Sequence, residues 1–316
     1  MNLARFVLMV VFCLSLLINL LIYINSVIIS EQAPKIWIQK SPITRLSDLR
    51  LDDPSGFPLN HPDTCKGDVE LIVVVCTSLG NSKSRDSVRK SWGMYSKNHF
   101  YKTRLVFLVG QGNDTLLERV LQENNIHGDI ILGDFVDTYR NLTLKSISML
   151  KWINNYCANA KYGLKADDDM YINIPNLISA MNSKSRRVKQ FLIGDKQVGA
   201  RPIKDKNSKY YTSSKEFGEK VYPPYLSGTA YAFTVSAAKA LCDITSRIKP
   251  FWMEDIHITG ICARAAGIPR FDHRGFTYQQ RPPSGCSFRD KISGHYVTGG
   301  QMIKIYRELS RGNLKC

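Results

Sequence analysis

Three adjacent carboxylates stand directly after an apolar stretch near the middle of the chain. Asp167, Asp168 and Asp169 follow residues 162–166, which predict a β-strand. Neighbouring carboxylates repel one another, so they require either a cation or a fully solvated turn. The alternating pair Asp167 and Asp169 presents two carboxylates on one side, and carboxylate oxygens are ligands that Mg²⁺ and Mn²⁺ prefer. A metal site is therefore one interpretation, and an exposed acidic turn is the other.

A second acidic pair, Glu254 and Asp255, opens a helix expected from about residue 254 to residue 266. The helix dipole favours carboxylates in the first turn, so capping is the plainest interpretation. The functional alternative is a general base, a carboxylate that takes the proton of an attacking hydroxyl. Glu254 and Asp255 by themselves are consistent with both helix capping and a general base.

Two further blocks are candidates for substrate contacts. Arg85 and Arg89 are four residues apart, so they share one face of an expected helix. They could form a plain basic stripe on the surface, or they could contact a phosphate of a nucleotide. Residues 222–231 form an aromatic loop made rigid by two prolines, in which Gly228 permits close approach of another group. Aromatic rings suit the apolar faces of sugars, although such a loop is also common as a core turn.

Strands and helices alternate beyond residue 66. Apolar runs predict strands at 70–77, 104–110, 129–132 and 162–166, and helical spacing predicts helices at 84–92, 116–125 and 142–157. This alternation predicts right-handed βαβ units and a mainly parallel sheet. Ligands bind at the carboxyl ends of strands in such sheets, and the acidic triplet stands at one of these ends.

The amino-terminal region reads as a membrane anchor. Residues 6–29 are almost wholly apolar, which is long enough to cross a bilayer, and no A-x-A-like cleavage site ends them. A signal-anchor is therefore expected rather than a cleaved signal peptide. The expected organisation is a cytoplasmic tail at 1–5, a transmembrane signal-anchor at 6–29, a lumenal stem at 30–66 with five prolines, and a lumenal domain at 67–316.

Other features agree with a lumenal location. Asn113 and Asn141 each begin an N-glycosylation sequon. The cysteines beyond the anchor lack metal-type spacing, so disulfides are expected. There are seven of them: Cys65, Cys76, Cys157, Cys242, Cys262, Cys286 and Cys316. The odd number leaves one thiol free or paired between chains, which keeps a homodimer open, and Cys76 inside an apolar strand is explained by burial alone.

The formal net charge of +16 raises the question of a nucleic-acid partner. The chain has no long basic run, no zinc-finger spacing and no RNA-binding signature, so we expect no nucleic acid. An excess of positive charge also suits anionic nucleotide donors or acidic glycans, and charge alone does not choose between them.

Taken in order, these blocks resemble the β-1,3-glycosyltransferases of glycosyltransferase family 31 from about Glu70 to Tyr306. The most specific match is the stretch 127–145, which follows the family's G-D-I…D-F-x-D-x-Y-x-N-L-T-L-K almost residue for residue. The other matching blocks are R-x-x-x-R-x-S/T-W-G at 85–93, F-L-x-G at 107–110, K-x-D-D-D-x-F/Y-I/V-N at 165–173, Y-P-P-Y-x-S-G at 222–228 and E-D-V-x-x-G at 254–260.

The resemblance implies a GT-A-type nucleotide-sugar-binding fold, with one transmembrane helix and a stem before it. It implies a UDP-sugar donor, Mn²⁺ or Mg²⁺, inversion at the anomeric carbon, a glycan acceptor on protein or lipid, and residence in the Golgi membrane as a single-pass type II protein. The implied metal ligands are Asp169, Asp167 and His295. The implied donor contacts are Arg85, Arg89, Trp92, Lys165, Asp167 and Asp168. Asp255 is the implied base, and the implied acceptor contacts are Glu254, Trp252, Tyr225 and Gly228.

Two positions depart from the family pattern. Ala230 replaces a glycine and His257 replaces a tyrosine. Both are expected near the substrates but not at the metal ligands. They therefore leave the choice of acceptor uncertain, whereas the expectation of catalytic activity is unchanged. Two other functions stand beside a β-1,3-hexosyltransferase: a silent lumenal sugar-binding protein on the same fold, and a metal-dependent diphosphate hydrolase.

Overall fold

The computed structural model describes residues 46, 49, 53–311 and 314–316. The expected cytoplasmic tail at 1–5 and signal-anchor at 6–29 lie outside these residues, together with most of 30–52. Within the described ranges, no helix is both long enough and apolar enough to cross a bilayer.

A seven-stranded sheet forms the centre of the described domain, in the order β3-β2-β1-β4-β7-β6-β8. Its strands are β1 (Leu71–Cys76), β2 (Thr103–Gln111), β3 (Ile130–Val136), β4 (Tyr162–Asp167), β6 (Leu192–Gln197), β7 (Tyr225–Thr234) and β8 (Arg270–Asp272). Only β7 runs antiparallel to its neighbours in this sheet. The prediction of a mainly parallel α/β sheet is confirmed.

Apolar side chains cover both faces of this sheet. In β1, Leu71, Val73 and Val75 enter one core cluster, whereas Ile72 and Val74 enter the other. This two-sided burial explains why the strand is a continuous β-branched run instead of an alternating one. The α-helices among the described residues are α1 (Ser82–Arg89), α2 (Asp114–His127), α3 (Leu142–Tyr156), α4 (Ile174–Ser185), α5 (Val235–Thr245), α6 (Ala263–Ala265), α7 (Gly285–Phe288) and α8 (Gly299–Ser310).

A small second sheet lies beside the acidic triplet. Strand β5 (Tyr171–Ile172) pairs antiparallel with β9 (Ser293–Gly294). This pairing brings a carboxy-terminal segment to the end of β4, which no local sequence pattern predicts.

The helix expected from residue 254 is not a regular α-helix. It contains a π-helix at Ile256–Cys262, followed by α6. π-Helical turns are rare and occur frequently at functional sites, because the wider turn re-aims side chains. Here the π-helix follows Asp255 directly.

Part of the expected stem belongs to the folded domain. Phe57 and Cys65 are 3% exposed, and Leu59 pairs with Leu132 of β3. The boundary placed at residue 67 is therefore too late, because three apolar residues among the prolines pack against the sheet.

The cysteines form two bridges, Cys65–Cys157 and Cys286–Cys316. Three thiols are free: Cys76, Cys242 and Cys262. The expectation of disulfides is correct, but three thiols stay free where one was expected. Cys76 and Cys262 lie in the apolar core, where burial raises the pKa of each thiol to about 12.

Removal of the longer-range bridge is expected to destabilise the protein. Cys65→Ala with Cys157→Ala opens a loop of sequence separation 92 and should lower the free energy of unfolding by about 2–4 kcal/mol. Urea denaturation measures this value. Opening Cys286–Cys316, of separation 30, should cost about 1 kcal/mol less, because the shorter loop restrains the unfolded chain less. Equal stability of the double variant and the parent would contradict this prediction.

Both sequon asparagines are described, and they differ in their contacts. Asn113 is exposed, and its Oδ1 caps α2 by accepting from Thr115 N–H at 3.0 Å. Asn141 donates from Nδ2 to the carbonyl of Val136 at 2.9 Å. Glycosylation at either position stays a prediction.

Candidate active site

Strand β4 delivers the acidic triplet to the carboxyl edge of the sheet. Lys165, on the same strand, is 5% exposed and donates from Nζ to Asp167 Oδ1 at 2.5 Å and to the carbonyl of Gly228. Burial alone would lower the pKa of Lys165. The nearby carboxylates of Asp167 and Glu254 have the larger combined effect, so the pKa of the ammonium is raised. Lys165 thus stays charged and joins the end of β4 to the loop at Gly228.

The middle carboxylate, Asp168, faces the turn after β1. Its Oδ2 accepts from Thr77 Oγ1 at 2.5 Å and from Asn81 Nδ2 at 2.9 Å. Trp92 is fully buried and donates from Nε1 to the carbonyl of Met170 at 2.9 Å. These contacts fix the two loops at the carboxyl ends of β1 and β4 against each other.

The two arginines of α1 lie beneath those loops. Arg85 is buried and donates to both carboxylate oxygens of Glu123, at 2.9 and 2.7 Å, and to the carbonyl of Ser78 at 2.6 Å. Arg89 forms a bidentate pair with Asp129, at 2.8 and 2.7 Å. Neither arginine lines the cavity described below, and neither does Trp92. The structure therefore places these three implied donor contacts in a supporting position, because their polar atoms are already bound to the protein.

The β5–β9 pair brings His295 to the triplet. His295 Nε2 lies 3.1 Å from Asp169 Oδ2, and Val297 N–H donates to the carbonyl of Asp169 at 2.9 Å. His295 Nδ1 lies 3.0 Å from the carbonyl of Tyr278, which fixes the ring and directs Nε2 at Asp169. Burial lowers the pKa of His295, but the Asp169 carboxylate outweighs it and raises the pKa overall.

The fit of a divalent cation rests on this pair. Among the described residues, no group of three or more His, Cys, Asp or Glu side chains is arranged to hold a metal. The third implied ligand, Asp167, is drawn to Lys165 instead. The Asp169 carboxylate and the His295 imidazole lie 3.1 Å apart and offer an oxygen and a nitrogen, donor types that Mn²⁺ accepts. Asp169 and His295 thus fit as a partial ligand set.

The acidic pair at the π-helix lies opposite this end of β4. Asp255 Oδ1 accepts from Ile256 N–H at 2.8 Å, and its Oδ2 accepts from Gly228 N–H at 3.3 Å. Burial and the neighbouring Glu254 raise the pKa of Asp255 to about 7, although the two N–H groups and Lys165 favour its charged form. A carboxyl group with such a pKa takes and releases protons near neutral pH.

Glu254 is held in place more tightly than Asp255. It is 7% exposed, and its Oε1 accepts from Ser146 Oγ at 2.8 Å and from Tyr231 Oη at 2.7 Å. A carboxylate bound in this way orients its surroundings. Asp255 is therefore the better candidate base of the two.

One cavity of about 570 Å³ joins the two acidic regions. Its lining includes Asp167, His295, Asp255 and Glu254, together with the implied acceptor residues Trp252, Tyr225 and Gly228. Asp255 and His295 therefore line the same space, whereas Asp169 does not line it and is reached through its contact with His295. A cavity of this size accommodates a nucleotide-sized ligand.

Several lining residues were not among the sequence-based candidates. Lys145 donates to the carbonyl of Thr77 at 2.7 Å and pairs with Asp137 at 2.7 Å, so it fixes the end of β1. The others include Ser146, Arg201, Lys209, and the tyrosines Tyr139, Tyr210, Tyr278 and Tyr296. The tyrosines come from separate segments, so no single sequence pattern collects them.

The two departures from the family pattern do not reach the cavity. Ala230 is 2% exposed in the core and pairs with Ala166 of β4. His257 is fully buried, its Nδ1 accepts from Phe251 N–H at 3.3 Å, and burial lowers its pKa to about 4. Both side chains face the packed interior, so any influence on the choice of acceptor would act through neighbouring lining residues such as Thr229 and Ile256.

Comparison with known proteins places the chain in a family. The galactosyltransferase family model matches residues 83–274. Beta-1,3-galactosyltransferase 1 of Mus musculus and of Homo sapiens is 30% identical over 263 residues, which cover 82% of this chain and 80% of the relative. This chain belongs to the galactosyltransferase family. It is therefore a glycosyltransferase, and the resemblance to glycosyltransferase family 31 is confirmed.

Further similar proteins differ in the sugar named. UDP-GlcNAc:betaGal beta-1,3-N-acetylglucosaminyltransferase 7 of Rattus norvegicus is 30% identical over 285 residues, which cover 82% of this chain and 69% of the relative. Among solved structures, 4-diphosphocytidyl-2C-methyl-D-erythritol synthase of Anaerococcus prevotii matches 77% of this chain and 99% of its own, with 13% identity and a TM-score of 0.39.

A methyl group at Gly228 is expected to impair this glycosyltransferase. A Cβ there would lie 2.9 Å from Glu254 Oε2 and 3.2 Å from Asp255 Cβ. Since a displacement of catalytic groups by about 1 Å can cost about 10²-fold, we expect Gly228→Ala to lower kcat by about 10-fold or more. Gly300→Ala is the matched control, because a Cβ there has nothing within 4 Å. Equal kcat values for the two variants would refute the role of this close approach.

Proposed function

We propose that this chain is an inverting β-1,3-hexosyltransferase on a GT-A-type fold. It transfers galactose or an N-acetylhexosamine from a UDP-sugar to a hydroxyl of a glycan on protein or lipid. The proposed location is the Golgi membrane, with residues 6–29 as a type II signal-anchor. The named relatives support the linkage, and the location rests on the amino-terminal sequence.

The observation that carries the proposal is the placement of Asp255. Asp255, whose carboxyl has a pKa of about 7, lines the same cavity as Asp167 and His295, and burial raises the pKa of Asp167 to about 6. In the proposed reaction, Asp255 takes the proton of the acceptor hydroxyl. At the same time, the oxygen of that hydroxyl forms a bond to the anomeric carbon of the donor. The carbon–oxygen bond to UDP breaks on the opposite side, and UDP leaves with the electron pair. One displacement of this kind inverts the anomeric centre.

The other residues position the reactants. Lys165 and Gly228 tie the donor end of the cavity to the Asp255 loop. Glu254 holds the wall beside the base through Ser146 and Tyr231. Asp169 and His295 would hold Mn²⁺ or Mg²⁺, which when bound supplies Lewis-acid stabilisation of the departing diphosphate.

The pH dependence of transfer follows from the Asp255 pKa. The base acts only as the carboxylate, so activity is present above its pKa and is lost as the pH falls through about 7. An ordinary aspartate would keep its charge down to about pH 4. We therefore expect kcat at saturating substrates to fall about tenfold for each pH unit below that midpoint. A kcat that stays constant between about pH 5 and 8 would speak against Asp255 as the titrating base.

A donor screen tests the proposed activity. Full-length protein is incubated with UDP-galactose, UDP-N-acetylgalactosamine or UDP-N-acetylglucosamine and a panel of glycan acceptors, and UDP release is measured. The proposal predicts release that depends on acceptor for at least one donor. Release that is independent of acceptor would indicate a hydrolase, and no release with any pair would indicate a silent binding protein.

A further inference from the structure

Two cations at the cavity are not neutralised by the protein. Lys145 pairs with Asp137, and Lys165 pairs with Asp167. Arg201 and Lys209 also line the cavity, are exposed, and form no ion pair with a carboxylate within the described ranges. Lys145 and Lys165 are therefore bound to carboxylates of the protein, whereas Arg201 and Lys209 are available to bind an anionic ligand.

The available cations lie on a basic segment between β6 and β7. Residues 198–224 contain six basic side chains (Arg201, Lys204, Lys206, Lys209, Lys215 and Lys220) and three acidic ones (Asp205, Glu216 and Glu219). The segment is held by hydrogen bonds: Tyr222 N–H donates to the carbonyl of Ala200 at 2.9 Å, and Tyr222 Oη donates to Thr212 Oγ1 at 3.1 Å. Arg201, next to Ala200, is therefore attached to a fixed backbone.

The register of the sheet places the two ends of this segment beside the strand that contacts the base. Gln197 at the end of β6 pairs with Tyr225 at the start of β7. Gly228, three residues along β7, donates its N–H to Asp255. Arg201 follows Gln197 by four residues and lines the same cavity as Asp255. The Asp169–His295 pair, which suits the diphosphate, is instead joined to the β5–β9 sheet.

Aromatic and hydrogen-bonding groups accompany the two cations. Lys209 Nζ lies 4.7 Å from the centroid of the Tyr210 ring, and Tyr139 and Tyr210 are 51% and 41% exposed. The Nε1–H of Trp252, another lining residue, is buried and has no hydrogen-bond acceptor in the described structure. Exposed rings suit the faces of sugar rings, and an unsatisfied donor requires an acceptor oxygen.

We propose that the glycosyl acceptor is an anionic glycan, whose carboxylate or sulfate is bound by Arg201 and Lys209. This inference rests on the proposed function and names the substrate class of the same site. A guanidinium and an ammonium that line one cavity can recognise such groups through charge-assisted hydrogen bonds. The exposed tyrosines and Trp252 contact the sugar rings that carry the charge.

The experiment compares matched glycans with the full-length protein. The probes are one neutral oligosaccharide, the same oligosaccharide with a single sulfate, and the same with a glucuronate in place of a neutral hexose. Acceptor KM and donor KM are measured separately for the parent, Arg201→Ala, Lys209→Ala and Arg201→Lys. Lys239→Ala is the control, because it removes one exposed positive charge on α5, away from the cavity.

The proposal predicts a kcat/KM for at least one anionic acceptor about tenfold or more above that of the neutral one. Arg201→Ala and Lys209→Ala should each raise the KM for that acceptor several-fold, with the donor KM unchanged and Arg201→Lys intermediate. Added salt should reduce the preference, because exposed charges are screened. The sulfate and glucuronate arms show which anion is recognised.

Two results would overturn the proposal. The first is equal use of neutral and anionic acceptors. The second is an effect of Arg201→Ala on the donor KM in place of the acceptor KM, which would assign the cations to the diphosphate. If no pair supports transfer, the proposed function fails, and calorimetry of glycan binding with UDP present still decides this inference. Weaker binding of the anionic glycan to Arg201→Ala than to Lys239→Ala then supports it, and equal binding refutes it.

Discussion

Asp255→Asn is expected to lower kcat for sugar transfer by about 10²–10⁴-fold, the usual contribution of a general base. The amide Oδ1 can still accept from Ile256 N–H, so the loop should keep its shape, but it cannot take a proton at neutral pH. The UDP-binding groups proposed at Asp169 and His295 are untouched. Affinity for UDP, measured by calorimetry, should therefore equal that of the parent.

Asp243→Asn is the matched control for this variant, because Asp243 is exposed on α5 and loses the same charge. It should transfer sugar at the parental rate. Near-parental transfer by Asp255→Asn would remove Asp255 from the role of base. A parallel loss of UDP affinity would instead indicate damage to the whole site.

Asp169→Ala is expected to remove the metal-dependent part of UDP binding. In the parent, Mn²⁺ should strengthen UDP binding by about an order of magnitude or more over an EDTA-treated sample, since an ion held by Asp169 and His295 would supply positive charge to the diphosphate. Without Asp169, His295 Nε2 has lost the partner 3.1 Å away, and the variant should bind UDP equally with Mn²⁺ and with EDTA. Calorimetry of UDP binding measures both values without reference to activity.

His295→Ala provides an independent check of the same ligand pair. It should reproduce the loss seen with Asp169→Ala, whereas Asp243→Asn should keep the parental response to Mn²⁺. Parental UDP affinity that is the same with Mn²⁺ and EDTA would contradict a metal at this position.

The positions of the central strands and helices can be predicted from the sequence. This is possible because apolar side chains on both faces of the sheet must be buried, which gives the strands a recognisable pattern. A strand such as β1, buried on both sides, must be a continuous apolar run, and such runs are visible in the sequence. The π-helix after Asp255 and the β5–β9 pair were not predicted. The first depends on the hydrogen-bond geometry of one turn, and the second joins residues more than one hundred positions apart.

The candidate site was predicted in part. Asp255, Asp167 and His295 line one cavity, and the roles implied for them stay predictions. Arg85 and Arg89 have the type and spacing of phosphate ligands, but their partners Glu123 and Asp129 are distant in sequence, so their structural role could not be read locally. The contacts of Ser146 and Tyr231 with Glu254 could not be predicted either, because both residues are distant from Glu254 in sequence.

The anomeric configuration of the product tests the central claim, a single displacement with Asp255 as the base, most directly. Full-length protein, an α-linked UDP-hexose and a glycan acceptor are incubated, and the new glycoside is examined by nuclear magnetic resonance. The account predicts a β-linked sugar on the acceptor 3-hydroxyl. An α-linked product, or free hexose with no glycoside, would contradict it.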